Sequence, residues 1–310
     1  MVILKAVIVL PLHWIVPQIA SGSTDNTIHL WDARTGRCCC VIDQHNGHIN
    51  TVIFSPINSQ LLISASADNT IWQWDIDGHQ IGPECEGEYV VFSSDGTCFI
   101  SWGKLAATIQ SSISGAVITK LQAPSIPVGY YCFSPDDRFV ASSSDHKIYI
   151  WDITGSNPHL VKTFFGHNHT MRSIIFSTSL IISSGAGPIE FWQIGNLLKN
   201  QVPVNSASKP PSSAPIVSVS LDTNNDIAIS SDSDGVVRTW DILTGLCKAS
   251  FHIPPSCLRD VQLVDGRLIL VWYTSEKICI WDVENRELLQ TVDAPPMLRA
   301  LPPRISADGA

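Results

Sequence analysis

Short runs in which apolar and polar residues alternate recur along the whole chain. Thr51-Val-Ile-Phe-Ser-Pro56 and Tyr131-Cys-Phe-Ser-Pro135 are two of them, and each is followed, after a turn of Asp, Asn or Gly, by a second apolar run: Leu61-Leu-Ile-Ser-Ala65 and Phe139-Val-Ala-Ser142. A tight turn then leads into a third run that ends at a Trp, as in Lys147-Ile-Tyr-Ile-Trp151. A fourth, such as Leu246-Cys-Lys-Ala-Ser-Phe251, closes the unit. Runs of four to eight residues with a period near two, bounded by turn formers, predict β-strands, and no helical periodicity of comparable strength competes. Four short strands in every ~40–45 residues is the pattern of a propeller blade.

The repeat shows most plainly in the tryptophans. Trp-Asp pairs stand at Trp31-Asp32, Trp74-Asp75, Trp151-Asp152, Trp240-Asp241 and Trp281-Asp282, and Trp192-Gln193 is an imperfect sixth. Successive Trp residues are 43, 77, 41, 48 and 41 positions apart. The interval of 77 is two periods, so one copy has lost its Trp; the Gly that follows several of these pairs (Gly36, Gly245, and Gly115 in the gap) puts Gln110-Ser111 in its place. Seven units follow, approximately 2–43, 44–82, 83–122, 123–163, 164–201, 215–252 and 256–292. A Pro/Ser-rich loop is inserted at 202–214, and a tail runs over 296–310. Together, residues 1–295 read as a single all-β, seven-bladed propeller of four-stranded antiparallel blades. Seven small units sharing interfaces also suit a chain of 310 residues, long for one core.

Composition narrows the classes. Charged residues make up 15% of the chain and hydrophobic ones 45%, which excludes a disordered chain and a charge-rich coiled coil. A net charge of −9 argues against direct nucleic-acid binding, which rests on Lys and Arg neutralising phosphates. The nine cysteines include no Cys-x-x-Cys pair and none at zinc-finger spacing from a His. Cys38, Cys39 and Cys40 are consecutive, and neighbours in an extended chain point to opposite faces, poor geometry for sharing one ion. Reduced strand cysteines are therefore expected, with no metal and no cofactor, in the cytoplasm or nucleus. The apolar stretch from Met1 to Ala20 is interrupted by Lys5, Pro11, His13 and Pro17, so no membrane span is expected; a cleaved signal peptide is the alternative.

With its Gly-His pairs (Gly47-His48, Gly166-His167), Phe-Ser-Pro segments and Trp-Asp endings, the chain resembles the WD40-repeat family over residues 2 to 292. The segment from Ile19 to Gly36 is also similar to the repeats that follow the nucleotide-binding domain in large fungal NACHT-type proteins. No phosphate-binding loop is present here. The family resemblance implies a hydrogen-bonded set in each blade: the His of Gly-His, a Ser or Thr of the second strand, an Asp six residues before the Trp, and the Trp itself. Carried onto this chain, the second unit has every part, His48, a Ser at 64 or 66, Asp68 and Trp74. Partial sets are Asp25 with Trp31, Asp145 with Trp151, His167 with Trp192, and Asp234 with Trp240, while Trp281 stands alone. A Ser/His/Asp catalytic reading of these residues finds no Gly-x-Ser-x-Gly elbow, and the resemblance implies a structural role; no catalytic residue and no enzyme are expected.

Family members receive partners near the entry to each blade's first strand. Two residues before the first apolar strand position this row reads Asn50, Glu88, Gly129, Arg172, Val217 and Arg259. So mixed a row suits protein contacts better than one small ligand, and Arg172 and Arg259 lead the candidates, with Asn50 and Glu88 beside them. The function implied is a non-enzymatic scaffold that presents its loop faces to other proteins. The alternatives are a regulatory repeat module of a NACHT-type signalling protein lacking its NTPase, and a propeller enzyme or secreted binding protein. At the ends, Val2 to Leu10 reads as the first strand of unit one, and Glu287 to Val292 as the last unit's own fourth strand; a fragment of a longer protein is the other possibility.

Overall fold

The computed structural model describes residues 7–8, 18–32, 37–103, 107–121, 128–144, 146–155, 157–165, 171–177, 180–185, 189–193, 205–206, 214–221, 227–242, 244–253, 258–264, 268–273, 277–282, 285 and 287–293. Its strands form seven four-stranded antiparallel sheets, each built from four strands in chain order. The fold class is that of a seven-bladed WD40-like β-propeller. Among the described residues there is no helix at all, and so none long and apolar enough to cross a membrane.

The chain divides into two compact units. The first holds three blades. Blade 1 consists of β1 (Val7–Ile8), β2 (Gln18–Gly22), β3 (Ile28–Asp32) and β4 (Cys38–Ile42). Blade 2 has β5 (Ile49–Phe54), β6 (Leu62–Ser66), β7 (Thr70–Trp74) and β8 (Cys85–Glu86), and blade 3 has β9 (Tyr89–Phe92), β10 (Cys98–Trp102), β11 (Ala107–Ser111) and β12 (Val117–Leu121). Most of the second unit is the remaining four blades. These are β13 (Val128–Phe133), β14 (Phe139–Ser144), β15 (Lys147–Asp152) and β16 (His159–Phe165) in blade 4, and β17 (Met171–Phe176), β18 (Leu180–Gly185), β19 (Glu190–Gln193) and β20 (Asn205–Ser206) in blade 5. Blade 6 is β21 (Ile216–Leu221), β22 (Ile227–Asp232), β23 (Val236–Asp241) and β24 (Cys247–His252); blade 7 is β25 (Leu258–Val264), β26 (Leu268–Tyr273), β27 (Lys277–Asp282) and β28 (Glu287–Asp293). Val7–Ile8 pairs with β2 in the first sheet, and Glu287–Asp293 completes the last one.

Two unit boundaries differ from those the sequence predicts. The fourth strand of blade 2 is Cys85–Glu86, paired with Thr70 and Ile71, so this blade runs past residue 82 into the segment assigned to unit three. The fourth strand of blade 5 is Asn205–Ser206, paired with Phe191 and Glu190, and it lies inside the stretch read as an inserted loop. Both strands are two residues long, too short for alternation to reveal them.

Within each unit, middle strands that lie between two neighbouring blades are buried on both faces. All five residues of Leu62–Ser66 are buried. One core fills the space between blades 1 and 2, with Ala20, Leu30, Val52, Phe54, Leu62 and Trp74; a second, with Ile63, Ile71, Val90 and Phe99, joins blades 2 and 3. In the second unit the same construction places Ile148, Phe164, Ile174 and Trp192 between blades 4 and 5. Fourth strands alternate weakly and carry exposed residues, as in Cys38–Ile42 and Val117–Leu121, because each is the free edge of its sheet.

Candidate functional site

The residues that lock each blade lie on its two middle strands. An indole N–H is a donor that must be satisfied when buried, and here it reaches a serine on the neighbouring strand. Trp31 donates to Ser21 Oγ at 2.8 Å, Trp74 to Ser64 at 2.8 Å, Trp151 to Ser142 at 3.2 Å, Trp192 to Ser183 at 2.8 Å and Trp240 to Ser230 at 2.9 Å. Blade 3, which lacks the Trp, keeps the bond: Gln110 is buried and its Nε2 donates to Ser101 Oγ at 2.7 Å. Blade 7 keeps the Trp and loses the acceptor. Trp281 has Val271 and Trp272 ten and nine positions before it where other blades have Ser, and its Nε1 finds no partner among the described residues.

Blade 2 extends this bond into a relay. Trp74 donates to Ser64 Oγ, and Ser64 Oγ lies 2.7 Å from His45 Nε2. His45 Nδ1 lies 3.2 Å from Asp68 Oδ2 and 3.0 Å from Thr70 Oγ1. These partners assign a neutral imidazole that accepts from Ser64 at Nε2 and donates from Nδ1. Burial pushes the His45 pKa down, and that outweighs the opposing pull of the Asp68 charge. For Asp68, burial pushes upward, but hydrogen bonds from the Thr70 hydroxyl and the Asn46 and Thr70 amides hold the carboxyl below its usual range.

The histidine of this set is therefore His45, not His48. His48 is exposed and its Nδ1 bonds the Thr24 carbonyl of blade 1, tying the two blades together outside the network. The physical reason is reach: the imidazole must enter the blade beside Ser64, and His48 directly precedes Ile49, the first residue of β5. A signal for this was present. His167 stands nine positions before Phe176, and His45 stands nine before Phe54, whereas His48 stands only six before it.

The other predicted network residues are placed as follows. Asp25 accepts from the Thr27 amide and hydroxyl, below Trp31, and His29 stacks on Trp31 at 5.5 Å. Asp234 is exposed in the β22–β23 turn, where its amide donates to Asp232 Oδ1; among the described residues of blade 6 the buried carboxylate is Asp232, paired with Arg238 at 2.8 Å. Arg238 at the position two before Trp240 draws the acid two residues earlier than expected. His167 and Asp145 lie outside the described residues.

The candidate contact row coincides with a backbone irregularity. The register between first and second strands slips between Ile49 and Thr51, Val128 and Tyr130, Met171 and Ser173, Ile216 and Ser218, and Leu258 and Asp260. The extra residue in each case is Asn50, Gly129, Arg172, Val217 and Arg259, the residues of the row. A bulge leaves its extra residue outside the ladder and re-aims its side chain. Glu88 of blade 3 stands just before β9, with its amide donating to the Trp102 carbonyl at 2.9 Å. Asn50, Glu88 and Val217 are half-buried and Gly129 is exposed; the side chains of Arg172 and Arg259 lie outside the described residues.

Comparison with known proteins follows this geometry. The model of the family described as WD domain, G-beta repeat matches residues 13–32, 36–75 and 115–152, the segments that carry three of these blades' motifs. The chain carries WD40 repeats. Relatives of this WD40 chain include Periodic tryptophan protein 2 of Arabidopsis thaliana, 25% identical over 285 residues, which covers 88% of the chain and 28% of that protein. Nuclear distribution protein PAC1 of Arthroderma otae is 32% identical over 174 residues, covering 51% of the chain and 38% of that protein. The Target of rapamycin complex subunit wat1 of Schizosaccharomyces pombe is 25% identical, with 58% of each chain covered. The chain thus spans well under two thirds of the length of these relatives. Among solved structures, the computationally designed Ika8 protein superposes with a TM-score of 0.75 over 94% of this chain and 88% of its own, at 20% identity, a likeness of fold alone.

Proposed function

We propose that the chain is a non-enzymatic scaffold that presents the bulged entries of its blades to protein partners in the cytoplasm or nucleus, with residues 1–295 acting as one propeller. The observation that carries this reading is the coincidence of the contact row with the bulges. Five blades use the same irregularity at the same place, yet fill it with Asn, Gly, Arg, Val and Arg. A purely structural bulge would favour one residue type, whereas a varied row on a repeated frame suits recognition of a varied protein surface. The Ser, His and Asp side chains that would serve catalysis are consumed by the blade locks, which leaves the mechanism to rigid display. A relative named as a subunit of the Target of rapamycin complex is consistent with work inside assemblies.

Arg172 and Arg259 are the residues to alter first, because Arg is enriched at interface hot spots. Affinity purification of the parent and of the Arg172→Ala/Arg259→Ala double variant, followed by mass spectrometry, tests the reading. Loss of specific partners in the variant, with the blade structure retained, supports it. An identical partner list places the contact surface elsewhere.

A further inference from the structure

The fourth strand of each blade ends its sheet, so its outer backbone groups form a template on which another strand could pair. Most of these edges carry a device against such pairing. β8 and β20 are only two residues long. Lys120, Lys162 and Lys248 stand within β12, β16 and β24, and lysine on an edge is a common guard because an incoming strand would have to strip its water. β28 has no charge between its ends, but Glu287 and Asp293 close it. An antiparallel second β28 would set those acids against each other.

β4 differs from all six. Cys38–Ile42 holds no charged residue, and Cys38, Cys39 and Val41 are exposed, Val41 by 52%. One face of the strand is already used, since Cys40 and Ile42 lie against the blade 2 turn at Gly78. On its outer edge β4 pairs with no strand among the described residues. The bulge at Cys39 does not set it apart: β12, β16 and β24 slip in the same way, with Ile118, Val161 and Lys248 as the extra residues. Blade 1 keeps the common bulge and lacks the lysine. Its charges stand at the two ends instead and are of opposite sign, Arg37 just before the strand and Asp43 just after it, both exposed. Residues 37–43 are therefore their own complement. Turned antiparallel about Cys40, a second copy of the segment places Arg37 beside Asp43 and Cys39 beside Val41, twice over.

We infer that the outer edge of blade 1 pairs with the same edge of a second copy of this chain, antiparallel and about a twofold axis at Cys40. A twofold contact needs a patch that complements itself, and among the fourth strands long enough to form a ladder β4 is the one whose end charges do so. Backbone amides and carbonyls along the edge gain partners, the two Arg37–Asp43 contacts fix the register, and Cys39 and Val41 cover each other. Pairing of β4 with β28 of another copy is disfavoured in either direction, because Asp43 then meets Glu287 or Asp293. The blade-entry row takes no part in this contact, so the dimer and the partner surface proposed above stand or fall separately.

Sedimentation equilibrium of the full chain, kept in reductant so that no disulfide forms, should show a reversible monomer–dimer equilibrium across a concentration series. Val41→Lys supplies the guard that the other edges carry and should leave the chain monomeric. Arg37→Asp and Asp43→Arg should each weaken the dimer about tenfold or more, because each change acts at two symmetric contacts. Combining them swaps the charges and should restore most of the parental dissociation constant. Ile118→Lys, on the edge of blade 3, should leave the equilibrium unchanged. All of these positions are exposed, so the variants keep the fold. A chain that stays monomeric to its highest soluble concentration overturns the proposal. So does a dimer that Val41→Lys leaves intact, or a charge-swapped double variant no stronger than either single one.

Discussion

Six of the seven blades are held by a bond from one buried donor to one buried hydroxyl, and the donor need not be an indole. Gln110 makes it in blade 3 with a side-chain amide, so the missing Trp at that position is a substitution of donor, not a loss of the lock. In blade 2 the hydroxyl passes the chain on to His45, whose side chain is fully buried with partners at both nitrogens. Removing it leaves the buried Ser64 hydroxyl without its acceptor and opens a void beside Trp74, so His45→Ala should lower stability by ~1–3 kcal/mol, the cost of leaving a buried polar group unpaired. His48→Ala removes one exposed bond and should cost less than ~1 kcal/mol. Urea denaturation of the two variants checks this, and equal costs would return the network to His48. The Gly-His dipeptide pointed to the wrong histidine because Gln44 fills the usual glycine position before His45, while Gly47 answers to a local demand: a Cβ there would lie 2.6 Å from the Asp68 amide nitrogen.

A blade is readable in sequence where its strands are long enough to alternate. Lys147–Asp152 and Ile49–Phe54 announce themselves, and their Trp and Phe-Ser-Pro landmarks fix the register. Cys85–Glu86 and Asn205–Ser206 do not, because two residues carry no period and their pairing is decided by the strand beside them. The row proposed to meet partners could be listed by position from the sequence, but its bulges could not, since a register slip depends on both strands of a pair. Blade 6 shows how one change propagates inside an element. Asp232 is fully buried and depends on Arg238 for its charge, while its Oδ1 accepts the amides of Asp234 and Val236. Arg238→Ala removes the opposite charge from that buried carboxylate and leaves it only hydrogen bonds, and should cost ~3–5 kcal/mol. At the same two positions blade 2 carries Ser66 and Trp72, so Asp232→Ser/Arg238→Trp should regain most of the loss. Thermal or urea unfolding of the three proteins measures it; a double variant as weak as the single one would show that the pair does more than balance a charge.

At the scale of the whole molecule the buried histidines and the hydrogen-bonded acids set a pH response. His45 and His29 are both pushed below the ordinary histidine pKa by burial, His45 against the charge of Asp68 and His29 against that of Asp25. A group depressed in the fold contributes stability that is complete above its unfolded value, ~6.5, and is lost as pH falls toward the folded one. The unfolded chain then binds protons that the folded chain refuses, and each histidine adds a slope of at most ~1.4 kcal/mol per pH unit. The carboxylates follow lower down. Asp68 and Asp25 are held down by hydrogen bonds despite burial, and Asp241 lies at about 2 because of the Thr244 amide and Lys248, so their contributions persist above ~3.9 and disappear below it. Unfolding free energy measured by urea titration should therefore be level from pH 8 to 7, decline between pH 6.5 and 5, and fall steeply below pH 4. Among the described residues, His45 and His29 are the histidines shifted this way, and their share of the decline can be removed. His45→Gln should lower stability at pH 7, because the amide cannot reproduce both imidazole bonds, yet lessen the slope between pH 6.5 and 5; adding His29→Gln should flatten it further. A slope unchanged in the double variant would mean that both imidazoles take up protons as readily in the fold as in the unfolded chain, which is incompatible with a neutral His45 locked between Ser64 and Asp68.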